Sequence, residues 1–211
     1  MNKRGTFVFG IGVILLSIVI NFSIYRFSNL GSYLFYMILI EPIFALIILA
    51  IYGANGKRIL QGVISVKWGL FLVTVIFIWT YIVLVMKLGL TEVKYLFESL
   101  YYPAFFEQVI FAMIGIETFS LYLRRGTSII LSAIFYEAYY FVVLINALPG
   151  FPGIYAPLFV LDSFAIGLIY IGIYALSKSV YAAMALEISL IMMIVFIPPI
   201  PAAFFYSLVP S

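Results

Sequence analysis

The residues of this sequence with the clearest chemical potential are acidic side chains placed inside long apolar runs. There are six of them: Glu41, Glu107, Glu117, Glu137, Asp162 and Glu187. An acidic residue at the centre of a bilayer is unfavourable by about 2.5–3.5 kcal/mol on insertion scales, so its presence there indicates a functional role. Carboxyl groups that converge in such a place can act as general acid and base, bind a proton or hold a cation.

These six carboxyl groups have no Lys or Arg within their apolar runs. Several unpaired anions in a low-dielectric interior would be strongly unfavourable. We therefore expect most of the six to be protonated, hydrogen-bonded to Tyr, Ser or Gln, or neutralised by a bound cation. Tyr136, Glu137 and Tyr140 have i, i+3 and i+4 spacings, so Tyr140 can share a helix side with either of the other two.

The chain contains neither cysteine nor histidine. This excludes disulfides, thiol catalysis, Cys/His zinc sites and proton relays built on histidine. We expect no cofactor and no metal site. Any chemistry must come from carboxyl, phenol, hydroxyl and amide side chains.

The composition defines the class of protein. The 211 residues are 66% hydrophobic and only 9% charged, whereas soluble domains are about 45–50% apolar. Because a helical span needs about 20 residues, seven or eight crossings with short loops would occupy the whole chain. The sequence predicts an all-α, polytopic membrane helix bundle of seven to eight transmembrane helices, a single integral membrane domain over residues 1–211 with the lipid bilayer as its surroundings.

The apolar runs set the order of these helices. A retained first helix is expected at about 6–25, and an amphipathic surface helix at about 90–102. A cluster of prolines from Pro198 to Pro201 must bend or end the last long helix, so the short segment 202–210 leaves the count at seven or eight. The remaining spans are predicted at about 33–52, 68–86, 104–123, 128–148, 155–177 and from 179 onward.

The basic residues predict the orientation in the cytoplasmic membrane. With the N-terminus in the cytoplasm, outer segments hold only Arg26, Lys87 and Lys94, which favours this orientation under the positive-inside rule. The net charge of +3 lies in loops and gives no indication of nucleic-acid binding. The inner segments hold the other eight basic residues: Lys3, Arg4, Lys57, Arg58, Lys67, Arg124, Arg125 and Lys178.

Three stretches match a family pattern. Phe106-Glu107-Gln108 stands before the turn Arg124-Arg125-Gly126-Thr127, Ser132-Ala133 begins a run that ends at Tyr140, and Ser179 begins a run through Ala182-Ala183 to Glu187. This order resembles the CPBP family of intramembrane proteases, which includes the CAAX prenyl-protein proteases and the bacterial Abi proteins. The family has Glu-Glu-x-x-x-Arg on one helix, Phe-x-x-x-His on the next and a last His followed by Asn two helices later.

The resemblance covers about residues 90–197 and implies a CPBP-like core. It places Glu107 at a family glutamate, Tyr140 at the first His, Glu187 at the second His and Ile191 at the Asn. In the family, the Glu and the first His are thought to activate a water, and the second His and Asn stabilise the oxyanion. Glu107, Tyr140 and Glu187 are therefore the candidate catalytic positions, around a polar cavity that we expect to include Gln108, Tyr136, Glu137, Glu41 and Asp162.

Since Glu107 alone is retained, we expect a degenerate, non-proteolytic homologue that binds or supports a membrane protein or peptide partner. One alternative is a glutamic-type intramembrane endopeptidase that uses Glu107 with Glu137 or Glu187. Another is a transporter, or a cation- or proton-binding membrane subunit, with the buried carboxylates as ligands. A purely structural subunit would instead have scattered acids, with Glu41 capping the kink at Pro42 and Glu117 hydrogen-bonded within its own bundle.

Overall fold

The structure is a computed structural model that describes residues 3–27, 35–53, 68–89, 101, 103–147 and 156–196. Every regular element among these residues is a helix, and none of them forms a strand. The all-α prediction is therefore confirmed for this part of the chain. The predicted surface helix at 90–102 lies outside it apart from Tyr101, as do the proline cluster and the segment 202–210.

Most helices match the predicted apolar runs. Within the described ranges, α1 alone is long and apolar enough to cross a bilayer, through its segment Lys3–Ile24 near the N-terminus. Two π-helical segments, which sequence periodicity does not predict, interrupt the α-helical pattern. The elements are α1 (Lys3–Phe27), π1 (Tyr36–Ile40), α2 (Glu41–Gly53), α3 (Trp68–Leu88), π2 (Gln108–Ile114), α4 (Gly115–Phe119), α5 (Arg125–Ala147), α6 (Ala156–Ser177) and α7 (Val180–Phe196).

Segment π2 occupies the centre of the molecule. All seven of its residues, Gln108–Ile114, are buried, and it contacts α1, α2, α5, α6 and α7. Around it, α5 packs against both α1 and α6, and α7 packs against both α3 and α6. Side chains at the ends of π2 are therefore within reach of several surrounding helices.

Close approach of α1 to α4 depends on a glycine. A Cβ atom on Gly10 would lie 1.9 Å from the Thr118 Oγ1 atom, which is far inside van der Waals contact. By contrast, a Cβ atom on Gly12 would meet nothing within 4 Å. Because Gly10 has no side chain, α1 can approach α4 this closely.

Exposed apolar side chains and buried acidic ones occur together around the apolar core. Large apolar residues are exposed on several helices, for example Val8 at 63%, Trp79 at 63% and Leu161 at 62%. Acidic and amide side chains lie in the interior instead. The buried ones include Glu41, Glu107, Gln108, Glu137 and Glu187.

Three basic segments meet at one end of the bundle. The Lys3 ammonium lies 4.9 Å from the centre of the Tyr122 ring, so the start of α1 is beside the turn that precedes α5. The Arg125 guanidinium donates to the Ala175 carbonyl near the end of α6. Arg26, in the last turn of α1, lies at the other end of that helix.

Candidate functional site

Glu107 lies at the junction between helical residues 103–107 and π2, and its side chain is buried. Its Oε2 atom accepts a hydrogen bond of 2.6 Å from the Tyr140 hydroxyl on α5. The Tyr136 hydroxyl, one helical turn earlier, lies 3.3 Å from the same oxygen. Two phenol groups of one helix therefore converge on one carboxyl oxygen.

Glu187 on α7 completes the arrangement. Its Oε1 atom lies 2.8 Å from the Tyr136 hydroxyl, and its Oε2 atom accepts a hydrogen bond of 2.8 Å from the Gln108 amide. The Tyr136 hydroxyl therefore lies between the two carboxyl groups and contacts both. We call Glu107, Gln108, Tyr136, Tyr140 and Glu187 the Glu107–Glu187 cluster.

The winding of the backbone explains how two consecutive residues both reach this cluster. In an α-helix, neighbours in sequence point about 100° apart. Glu107 and Gln108 stand where the chain passes into π2, whose wider i→i+5 turns alter which side chains share a face. Segments of π-helix inside α-helices occur frequently at functional sites.

Aromatic rings hold Tyr136 in place. Its ring makes edge contacts with the rings of Phe111 and Tyr170, at centroid distances of 5.8 and 6.2 Å. Gly167 on α6 lies against it so closely that a Cβ atom there would be 2.8 Å from the Tyr136 Cδ1 atom. Sequence reasoning did not single out Tyr170, because its contact depends on how α6 packs against α5.

Glu41 forms a second, neighbouring contact with α5. Its side chain is fully buried, and the Tyr139 hydroxyl donates to its Oε1 atom. Asn21 on α1 donates its amide to the Tyr139 carbonyl at 3.3 Å. The Glu41 carboxyl thus accepts a hydrogen bond from another helix, α5.

The other predicted acids have different positions. Glu137 is buried on α5, between the two tyrosines that bind the cluster. Asp162 lies in α6, and its side chain is outside the described residues. Glu117 lies in an apolar run of the sequence, but its side chain is half-exposed and its Oε1 atom lies 3.8 Å from the Lys178 ammonium, at the basic end of the molecule.

The cluster has more acceptors than donors. The Glu107 Oε1 and Gln108 Oε1 atoms are buried and accept no hydrogen bond from the described residues, and the same holds for Glu41 Oε2. No three acidic side chains in the described ranges lie close enough together to hold a metal ion. Because the described residues leave these acceptor atoms unsatisfied, the site suits a proton or a group that donates hydrogen bonds.

Comparison of the chain with protein-family models, with curated proteins and with solved structures gave no match. The resemblance to the CPBP family accordingly stays a prediction from the sequence motifs. The geometry of the Glu107–Glu187 cluster is the basis for any functional assignment.

Proposed function

We propose that this chain is a multi-pass protein of the cytoplasmic membrane, with seven or eight spans and a CPBP-like core, whose Glu107–Glu187 cluster is a non-proteolytic binding centre. One observation carries the proposal. Five polar side chains from three parts of the chain are hydrogen-bonded to one another in the interior of a bundle with an apolar exterior.

The membrane part of the proposal is supported by the exterior. Large exposed apolar side chains on many helices would be unfavourable in water, but they are suited to contact with lipid. Only α1 is both long and apolar enough for a span within the described ranges. By backbone length alone, α3, α5 and α6, with 21, 23 and 22 residues, also reach the roughly 20 that a span requires. The basic end formed by Lys3, Arg125 and Lys178 would face the cytoplasm.

Binding is favoured over hydrolysis by the chemistry of the cluster. Glu107 occupies the position of the family's general base, but its Oε2 atom is engaged by the Tyr140 and Tyr136 hydroxyls. Glu187 stands where the family has a histidine that stabilises the oxyanion. A carboxyl group there would repel developing negative charge unless it carried a proton. A partner that presents an amide, hydroxyl or amine donor fits these acceptors better than a tetrahedral oxyanion does.

An intramembrane endopeptidase is the second candidate, and one observation favours it. Glu107 and Glu187 are two carboxyl groups that both contact the hydroxyl of Tyr136. Two carboxyl groups that share a proton form the catalytic pair of aspartic proteases. The same arrangement could activate a water between Glu107 and Glu187.

A peptidase assay separates the two candidates. The purified protein in liposomes would be given a fluorogenic transmembrane peptide, alongside Glu107→Gln and Glu187→Gln, with the surface acid variant Glu117→Gln as control. We expect no cleavage by any of the four proteins. Cleavage by the native protein and by Glu117→Gln, but not by the other two variants, would establish the peptidase instead.

Site-specific crosslinking tests the binding role. Tyr140 is the member of the cluster with partial exposure, so a photoreactive phenylalanine derivative at this position would report a bound partner. The control places the same derivative at Ile130, which is exposed on the same helix near the basic end. We expect a discrete protein or peptide adduct from position 140 alone. Adducts with lipid only, at both positions, would contradict a binding centre.

A further inference from the structure

The hydroxyl group of Tyr136 is shared by two carboxyl groups. It lies 2.8 Å from Glu187 Oε1 and 3.3 Å from Glu107 Oε2. A phenol has a single proton to donate, so it can satisfy only one of these oxygens. If both carboxyl groups were ionised, the second contact would place lone pairs against lone pairs.

The remaining donors of the cluster do not remove this conflict. The Tyr140 proton points to Glu107 Oε2, and the Gln108 amide donates to Glu187 Oε2. One additional proton, on whichever of these two carboxyl oxygens the Tyr136 proton does not reach, turns the unfavourable contact into a hydrogen bond that the Tyr136 oxygen accepts.

No basic side chain in the described ranges is hydrogen-bonded or ion-paired to either carboxyl group. The titratable groups that face the pair are acids and phenols: Glu41 from α2, Tyr136 and Tyr140 from α5, and Tyr170 from α6. Phenols donate hydrogen bonds without neutralising charge. An ionised Glu41 would add repulsion, so a proton is the neutralising species that this environment favours.

We propose that the Glu107–Glu187 pair is a proton-binding site, in which one exchangeable proton is held between the two carboxyl groups and links π2 to α7. The inference rests on the proposed function, because it assigns a ligand to the same cluster. Loss of the proton would leave two adjacent anions in the interior, and their repulsion would separate α7 from π2. Proton occupancy thereby controls whether the cluster is closed or is open to a partner.

Infrared difference spectroscopy of the purified protein in liposomes tests this directly. A protonated carboxylic acid has a carbonyl stretching band, distinct from that of a carboxylate, which shifts when H₂O is replaced by D₂O. We expect this band in the native protein at neutral pH, and we expect it to disappear as the pH is raised. The control variant Glu117→Gln should retain the band at full intensity.

In Glu107→Gln or Glu187→Gln, the remaining acid has no carboxyl partner, so the part of the band that belongs to the pair should be lost, and only the contribution of the other buried acids, Glu41 and Glu137, should stay. Tyr136→Phe keeps the ring but removes the shared hydroxyl, and it should shift the band without abolishing it. Thermal unfolding of each variant would show that the bundle is intact. An unchanged band in both glutamine variants would overturn the proposal, as would its absence in folded native protein at every pH.

A band that is lost on addition of Na⁺ at constant pH would also overturn it, because the site would then hold a metal cation in place of the proton. A failure of the infrared test can be distinguished from a failure of the proposed binding function. Crosslinking at position 140 can succeed although the band is absent, and the band can be present although no partner binds.

Discussion

Tyr139 and Tyr140 are consecutive residues of α5, yet their hydroxyl groups bind different acids. Tyr139 donates to Glu41 at the start of α2, whereas Tyr140 donates to Glu107 at the start of π2. Their rings meet edge to face at a centroid distance of 5.7 Å. Helix α5 therefore links two buried carboxyl groups through adjacent side chains, and each link can be tested separately.

Removal of the Tyr140 hydroxyl should destabilise the protein. In Tyr140→Phe, Glu107 loses its closest donor, and hydrogen bonds to charged groups contribute about 1.5–3 kcal/mol. Thermal unfolding in detergent would measure the change. The control is Tyr122→Phe, since Tyr122 is an exposed residue whose ring contacts would be retained. Equal effects of the two substitutions would contradict a stabilising role for this hydrogen bond.

Gly167→Ala should displace Tyr136. The new methyl group would lie 2.8 Å from the Tyr136 ring, and such overpacking typically destabilises by about 1–3 kcal/mol. Gly172→Ala on the same helix is the matched control, because its Cβ would meet nothing within 4 Å. We expect the control to be neutral or more stable by about 0.5–1 kcal/mol, as alanine is the better helix former. If both variants unfold at the same temperature, the lack of a side chain at Gly167 is not required for the packing of the Tyr136 ring.

A second glycine pair tests the packing of the first helix. Gly10→Ala would place a methyl group 1.9 Å from Thr118 Oγ1 and should force α1 away from α4. Gly12→Ala, half a turn away, meets no atom within 4 Å and should be tolerated. Limited proteolysis and unfolding temperature would compare the two. Equal protease resistance would show that α1 does not pack closely at this position.

The proposed orientation can be tested by cysteine labelling, since the native chain contains no cysteine. Gly126→Cys lies at the exposed basic turn, and Arg26→Cys lies at the opposite end of α1. With the N-terminus in the cytoplasm, a membrane-impermeant maleimide should label Arg26→Cys in intact cells, and Gly126→Cys only after permeabilisation. Labelling of both variants in intact cells would be incompatible with a helix that crosses the membrane between them.

Much of the site follows from local sequence rules. Tyr136 and Tyr140 are four residues apart, so a helix brings both hydroxyls to one side. The rarity of carboxyl groups in apolar runs points to six acids, and the family resemblance singles out Glu107 and Glu187 among them. The structure brings these two together with Gln108 and Tyr136. The roles that the family resemblance assigns to them stay predictions.

Other features depend on tertiary structure and backbone winding. Periodicity of apolar residues predicts α-helices, but it does not show where one residue is accommodated in a π-helical turn. The contact of Glu41 with Tyr139 joins residues 98 positions apart, and no local pattern encodes it. The apolar residues around Glu117 give no indication that it lies at the charged end of the bundle, beside Lys178.

The π-helical turn after Glu107 also bears on how such a site could be gained or lost. One residue inserted into or deleted from an α-helix rotates everything before it by about 100° relative to everything after it. A π-helical turn takes up one such extra residue, so deletion of a single residue within Gln108–Ile114 would restore regular winding there and would change which side chains of the segment share a face with Glu107, with every side chain of the cluster still encoded. The site is thus specified by chain length at one position as much as by residue type, and a substitution scan alone would not reveal that dependence.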